Sequence, residues 1–144
     1  MSFDVNRAES PGQKRISRIE SRLTKAQEDY LRTIYVLSNG QFSVRLTDIA
    51  IHRDVSKPSA CQIVTTLEEK GFVIRDAKRL ISLTAEGARE AKRVMDNFTV
   101  ISLFLTIKLK ISRHTALIDA CALEHVMSEE TVNALRSSLH LSSL

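Results

Sequence analysis

Between Arg45 and Leu83 the chain reads RLTDIAIHRDVSKPSACQIVTTLEEKGFVIRDAKRLISL. Leu46, Ile49 and Ala50 fall on one face of a short helix over about Arg45 to His52. After the connection Arg53 to Val55, Ser56 stands as a cap, Pro58 sits in the first turn, and Ala60, Ile63, Val64 and Leu67 recur at helical intervals before Gly71. Two short helices joined tightly make a helix-turn-helix layout. The β-prone runs Phe72-Val73-Ile74 and Leu80-Ile81-Ser82-Leu83 flank a charged tip, Arg75 to Arg79, and predict a two-stranded wing.

Upstream, Thr24 and Gln27 have capping-box spacing ahead of Tyr30, Leu31, Ile34, Tyr35 and Leu37, and Asn39-Gly40 ends this first helix. Residues 1–23 are polar, with Pro11-Gly12 and five bases against three acids, and read as a flexible basic arm. Downstream, Thr84 caps a long helix to about Lys108, charged early and apolar from Val100 to Ile107. A helix apolar on nearly all sides is buried, often by another subunit. Helices over Ser112 to Met127 and Ser128 to about Leu139 follow, the last with Glu129 and Glu130 in its first turn. The expected class is mainly α with a small β-wing: arm 1–23, winged helix-turn-helix 24–83, and an all-α dimerisation and metal-binding domain 84–144.

Composition sets the outer bounds. With 144 residues, 43% hydrophobic and 26% charged, the chain is an ordinary globular sequence long enough to hide roughly 68–70% of its unfolded surface. Two cysteines make no disulfide framework, and the start lacks a secretory leader pattern, so the cytoplasm is the expected location. The apolar run Phe98 to Ile107 is half of the about 20 residues that span a bilayer, so no membrane partner is expected. Residues 45–93 carry ten bases against seven acids and residues 100–144 four against four. That distribution assigns an anionic partner to the front and self-association to the back.

Ser56, Lys57, Pro58, Ser59 and Gln62 open the candidate recognition helix. Amides, hydroxyls and an ammonium there suit phosphates, and Gln62 can pair in bidentate fashion with adenine. A helical hairpin with solvated polar caps is the alternative, and the adjoining wing with Lys78 and Arg79 favours double-stranded DNA. Cys121, Glu124 and His125 stand at i, i+3 and i+4, so a helix presents thiolate, carboxylate and imidazole together, types that bind a divalent first-row metal. Three ligands leave the shell incomplete and require another element. Read plainly, the same residues are a small buried cysteine and a solvated Glu-His pair. A thiol enzyme is disfavoured because neither an oriented base nor a Gly-rich oxyanion loop accompanies Cys121, so neither catalysis nor a small organic substrate is expected.

The stretch Glu28-Asp29-Tyr30-Leu31-Arg32-Thr33-Ile34-Tyr35, the winged helix and Asp119-Ala120-Cys121-Ala122-Leu123-Glu124-His125-Val126-Met127-Ser128 resemble the metal-dependent repressors typified by the diphtheria toxin repressor and the manganese transport regulator. The likeness runs from about Thr24 to Leu139. It implies a homodimeric transcription factor that binds palindromic operators when metal is bound, with one site per subunit made by Asp29, Cys121, Glu124 and His125. Asp29 matches the manganese branch and Cys121 the iron branch, which leads to Mn(II), with Fe(II) as the alternative. The resemblance also marks departures. Phe98, Ser102 and Leu117 replace the ligands of a second, ancillary site, Arg32 replaces a metal-binding Glu, and Thr66 and Glu69 replace two arginines of the recognition helix. A C-terminal SH3-like domain found in longer members is not expected. The rival readings are a winged-helix factor without metal control and a protein-interaction module using the Phe98 to Ile107 face.

Overall fold

The structure, a computed structural model, describes residues 23–140. The arm expected over residues 1–23 lies, except for Leu23, outside them. Helix α1, Lys25–Leu37, starts on a complete capping box: the Thr24 hydroxyl accepts from the Gln27 amide at 3.2 Å and the Thr24 amide donates to Gln27 Oε1 at 3.1 Å. It ends where Asn39 and Gly40 take left-handed φ angles of 50° and 70°, with the Gly40 amide returned to the Tyr35 carbonyl.

Helices α2, Leu46–Arg53, and α3, Lys57–Glu69, meet through a turn at Asp54, which is left-handed with φ 53°. Ser56 caps α3 by accepting from the Ser59 amide at 3.2 Å. The wing is the antiparallel pair β1, Val73–Arg75, and β2, Ile81–Leu83, with Ile74 opposite Ser82. At its tip, Asp76 Oδ1 accepts from the amides of Lys78 and Leu80, both at 2.9 Å. Leu31, Ile34, Ile49, Val64, Leu67, Phe72, Val73 and Ile81 close over one another as the core of this half. The inward faces expected for α2 and α3 are those observed.

Helix α4, Ala85–Leu103, leaves the wing under a Thr84 cap and packs along α1 on one side and α5 on the other. It was expected to continue as α-helix to Lys108, but Phe104–Lys108 is a π-helical segment, closed by the Leu109 amide on the Phe104 carbonyl at 3.3 Å. Hydroxyls of Thr99, Ser102 and Thr106 bond back to carbonyls of the preceding turn, which loosens the regular ladder here.

Helix α5, Arg113–Leu123, is shorter than the expected Ser112 to Met127. The amides of Val126 and Met127 both turn to the Leu123 carbonyl, so the chain leaves the helix at Glu124. Helix α6, Glu129–Ser138, begins on the Ser128 cap with Glu129 and Glu130 in the first turn. Ile107, Leu109, Leu117 and Ile118 remain exposed on this half. No helix among the described residues is long and apolar enough to cross a membrane.

Candidate metal centre and nucleic-acid interface

Three elements converge between the two halves. Helix α1 supplies Glu28, Asp29 and Arg32; the end of α5 and the turn after it supply Glu124 and His125; α4 supplies Arg93 and Phe98. Ligand atoms of Asp29, Glu124 and His125 all lie within 4.8 Å of one another. The Glu124 side chain is fully buried, and that of His125 is 3% exposed. His125 Nε2 stands 3.1 Å from Asp29 Oδ1 and 3.2 Å from Glu124 Oε1. Neither approach is aligned as a hydrogen bond, which leaves Nε2 a buried polar atom with none, and Glu124 Oε2 is a second such atom. Such atoms ordinarily find a partner. An imidazole nitrogen and carboxylate oxygens facing one another fit a divalent ion such as Mn(II) or Fe(II).

On the far side of the ring, Nδ1 meets Glu28 Oε2 at 2.5 Å, and Glu28 Oε1 in turn accepts from Arg93 at 2.9 Å. This carboxylate orients the imidazole so that Nε2 faces the other two acids. Burial alone pulls the His125 pKa down, but contacts with Asp29, Glu124 and Glu28 outweigh it and push the ring up to about 11. Asp29 shows the reverse: burial raises it, yet His125, with Arg53 and Arg32 adding to it, holds its pKa below the usual carboxylate value.

Every carboxylate here has its own arginine. Arg32 Nη1 donates to Glu124 Oε1 at 2.9 Å, Arg93 Nη2 to Glu28 Oε1 at 2.9 Å, and Arg53 Nη2 lies 3.6 Å from Asp29 Oδ2. The Arg32 guanidinium also rests 5.4 Å from the Phe98 ring centre, and Arg53 the same distance from that of Tyr30.

Of the four metal residues expected from the sequence, the structure brings together Asp29, Glu124 and His125. Cys121, half-buried one turn before Glu124, is not among the converging ligand atoms. Glu28 went unrecognised. Its sign in the sequence is an acid three residues before Leu31 and six before Ile34, on the buried side of α1, where a charge requires a partner. Arg53 and Arg93 carry no such local sign, because their partners come from other elements.

In the winged-helix half, Ser56, Lys57, Pro58, Ser59 and Gln62 are all exposed along the first turns of α3, and Lys78 and Arg79 are exposed at the wing tip. Arg79 takes a left-handed φ of 61°, which the Asp76 turn holds in place. Cys61 is half-buried within the same helix.

Comparison with known proteins matches both halves. Residues 22–80 fit the N-terminal DNA binding domain of the iron dependent repressors, and residues 84–141 fit their metal binding and dimerisation domain. The transcriptional regulator MntR of Escherichia coli is 31% identical over 109 residues, 76% of this chain and 70% of that protein. The diphtheria toxin repressor of Corynebacterium glutamicum is 33% identical over 113 residues, 78% of this chain. The chain spans about half the length of that relative, 50%. Among solved structures, the manganese regulator SloR superimposes with a TM-score of 0.71 at 28% identity, covering 85% of this chain and 57% of that one. These relatives are transcriptional regulators rather than enzymes. Two matched domains in the right order, joined by a largely buried cluster of two acids and a histidine, place the chain in the iron-dependent repressor family of metal-dependent transcriptional regulators.

Proposed function

We propose that this protein is a repressor of divalent-metal homeostasis that binds palindromic operators as a homodimer when one Mn(II), or alternatively Fe(II), is bound per subunit. Asp29, Glu124 and His125 hold the ion, with Cys121 as the fourth ligand. The observation that carries the reading is the buried junction itself: Asp29 belongs to the winged-helix half, while Glu124 and His125 belong to the dimerisation half. A bound divalent ion would supply a shared centre for the two acids and the imidazole and so tie the winged-helix half to the dimerisation half through them. This chain's residues do the rest. Glu28 fixes the imidazole, α1 carries the junction to the core beneath α3, and the polar opening of α3 offers Ser56, Lys57, Pro58, Ser59 and Gln62 to the major groove while Lys78 and Arg79 reach the flanking backbone.

A dimer reads two half-sites about 34–36 Å apart, so firm placement of each winged helix on its dimer core sets operator affinity. Couplings of this type are about 1–3 kcal/mol, roughly 5–150-fold in affinity. The test is a duplex-binding titration with and without Mn(II), and anaerobically with Fe(II), on the parent chain and on Asp29→Ala and Cys121→Ala. The parent should gain affinity within that range, and both variants should lose the gain while sedimenting as dimers. Full stimulation of both variants would reject the ligand set. A metal-independent winged-helix factor is the second reading, favoured by the arginine already paired with each acid; DNA affinity indifferent to every ion would select it.

A further inference from the structure

Of the three guanidinium groups around the cluster, Arg32 makes the closest contact with a ligating acid. It takes one oxygen of Glu124, Oε1, at 2.9 Å, and leaves the other, Oε2, buried without a hydrogen bond. Oε1 is also the oxygen that stands 3.2 Å from His125 Nε2, so an ion entering between these ligands must share it with a fixed cation. A carboxylate that bridges two metal ions must use both of its oxygens, and here Arg32 already holds one. Arg53 stands farther from its acid, 3.6 Å, and Arg93 contacts Glu28, on the side of the imidazole away from Nε2. Arg32 is also seated: its guanidinium lies against the Phe98 ring at 5.4 Å.

We propose that Arg32 is a resident cation that restricts this centre to a single divalent ion and lowers its affinity for that ion. The inference rests on the metal-responsive reading above and names the residue that sets its stoichiometry. A second ion beside Glu124 would meet a permanent positive charge where it needs a donor, and the first ion must share Glu124 with that charge.

The experiment uses the full chain, with Mn(II) as the probe, measuring affinity by calorimetric titration and ions per chain by elemental analysis after equilibrium dialysis. The parent should take up one ion. Arg32→Gln should bind Mn(II) about tenfold more tightly or better, because an opposing charge next to a ligand has been removed. Arg32→Glu should take up two ions per chain. Arg32→Lys, which keeps the charge, should behave as the parent, and thermal melts on each variant verify folding. A merely structural Arg32 predicts the opposite sign, weaker binding in Arg32→Gln. Equal or weaker binding there overturns the proposal and leaves the metal-responsive reading standing; two ions in the parent overturns the proposal together with the one-ion stoichiometry of that reading, but not its metal dependence. No Mn(II) uptake by the parent or any variant overturns both.

Discussion

His125 is the residue on which the most forces meet. Its folded pKa, about 11, lies above the 6.5 of a free imidazole, so the metal-free protein gains stability from the protonated ring. That contribution is whole below pH 6.5 and drains away as pH rises toward 11, with a slope of at most about 1.4 kcal/mol per pH unit for one proton. Denaturant midpoints of the metal-free chain should fall across that window, and His125→Gln should flatten the slope; an unchanged slope would assign it to other groups. The same proton stands between Nε2 and any ion, so Mn(II) affinity should climb about tenfold per pH unit from this proton alone, and more steeply where a ligating thiol gives up a second, read by titration in two buffers. Little of this was visible in the sequence. The Cys-x-x-Glu-His spacing pointed to His125 and Glu124, and only the family likeness pointed to Asp29. Glu28 and the arginines act across elements, and linear spacing holds no record of such contacts.

The elements were read far more completely, for a local reason. Thr24, Ser56, Thr84, Ser112 and Ser128 all cap helices through their own hydroxyls, and a cap is a contact over three residues that sequence displays directly. The two departures, the π-helical segment after Leu103 and the early end of α5 at Leu123, depend on carbonyl choices that apolar periodicity does not encode. Gly87 is the sharpest constraint at this scale. A Cβ there would stand 2.0 Å from the Phe72 carbonyl oxygen, at the point where α4 leaves the wing. Alanine should gain about 1 kcal/mol in helix propensity but lose about 1–3 kcal/mol or more to overpacking. Gly87→Ala should therefore melt lower than the parent, whereas a higher melting temperature would mean that the wing root yields freely.

For the whole molecule, a formal net charge of +4 matters less than where its exposed bases stand. Lys57 at the start of α3 and Lys78 and Arg79 at the wing tip are all exposed, so alanine at each should weaken binding to every duplex alike and lower the salt slope by about one. Gln62→Ala should instead relax preference at a single base pair, by about 1–3 kcal/mol, measured on a panel of substituted operators. The close seat of Gly87 on Phe72, with the Thr84 hydroxyl on the Gly71 carbonyl at 2.8 Å, bolts the reading head to the foot of its strut. A head so mounted turns little about its neck, so the freedom that a metal ion would remove lies farther along, where Asp29 of α1 faces Glu124 and His125 beyond the end of α5. Lengthened or shortened operator spacers would then be penalised in proportion to the torsion they impose on that remoter joint.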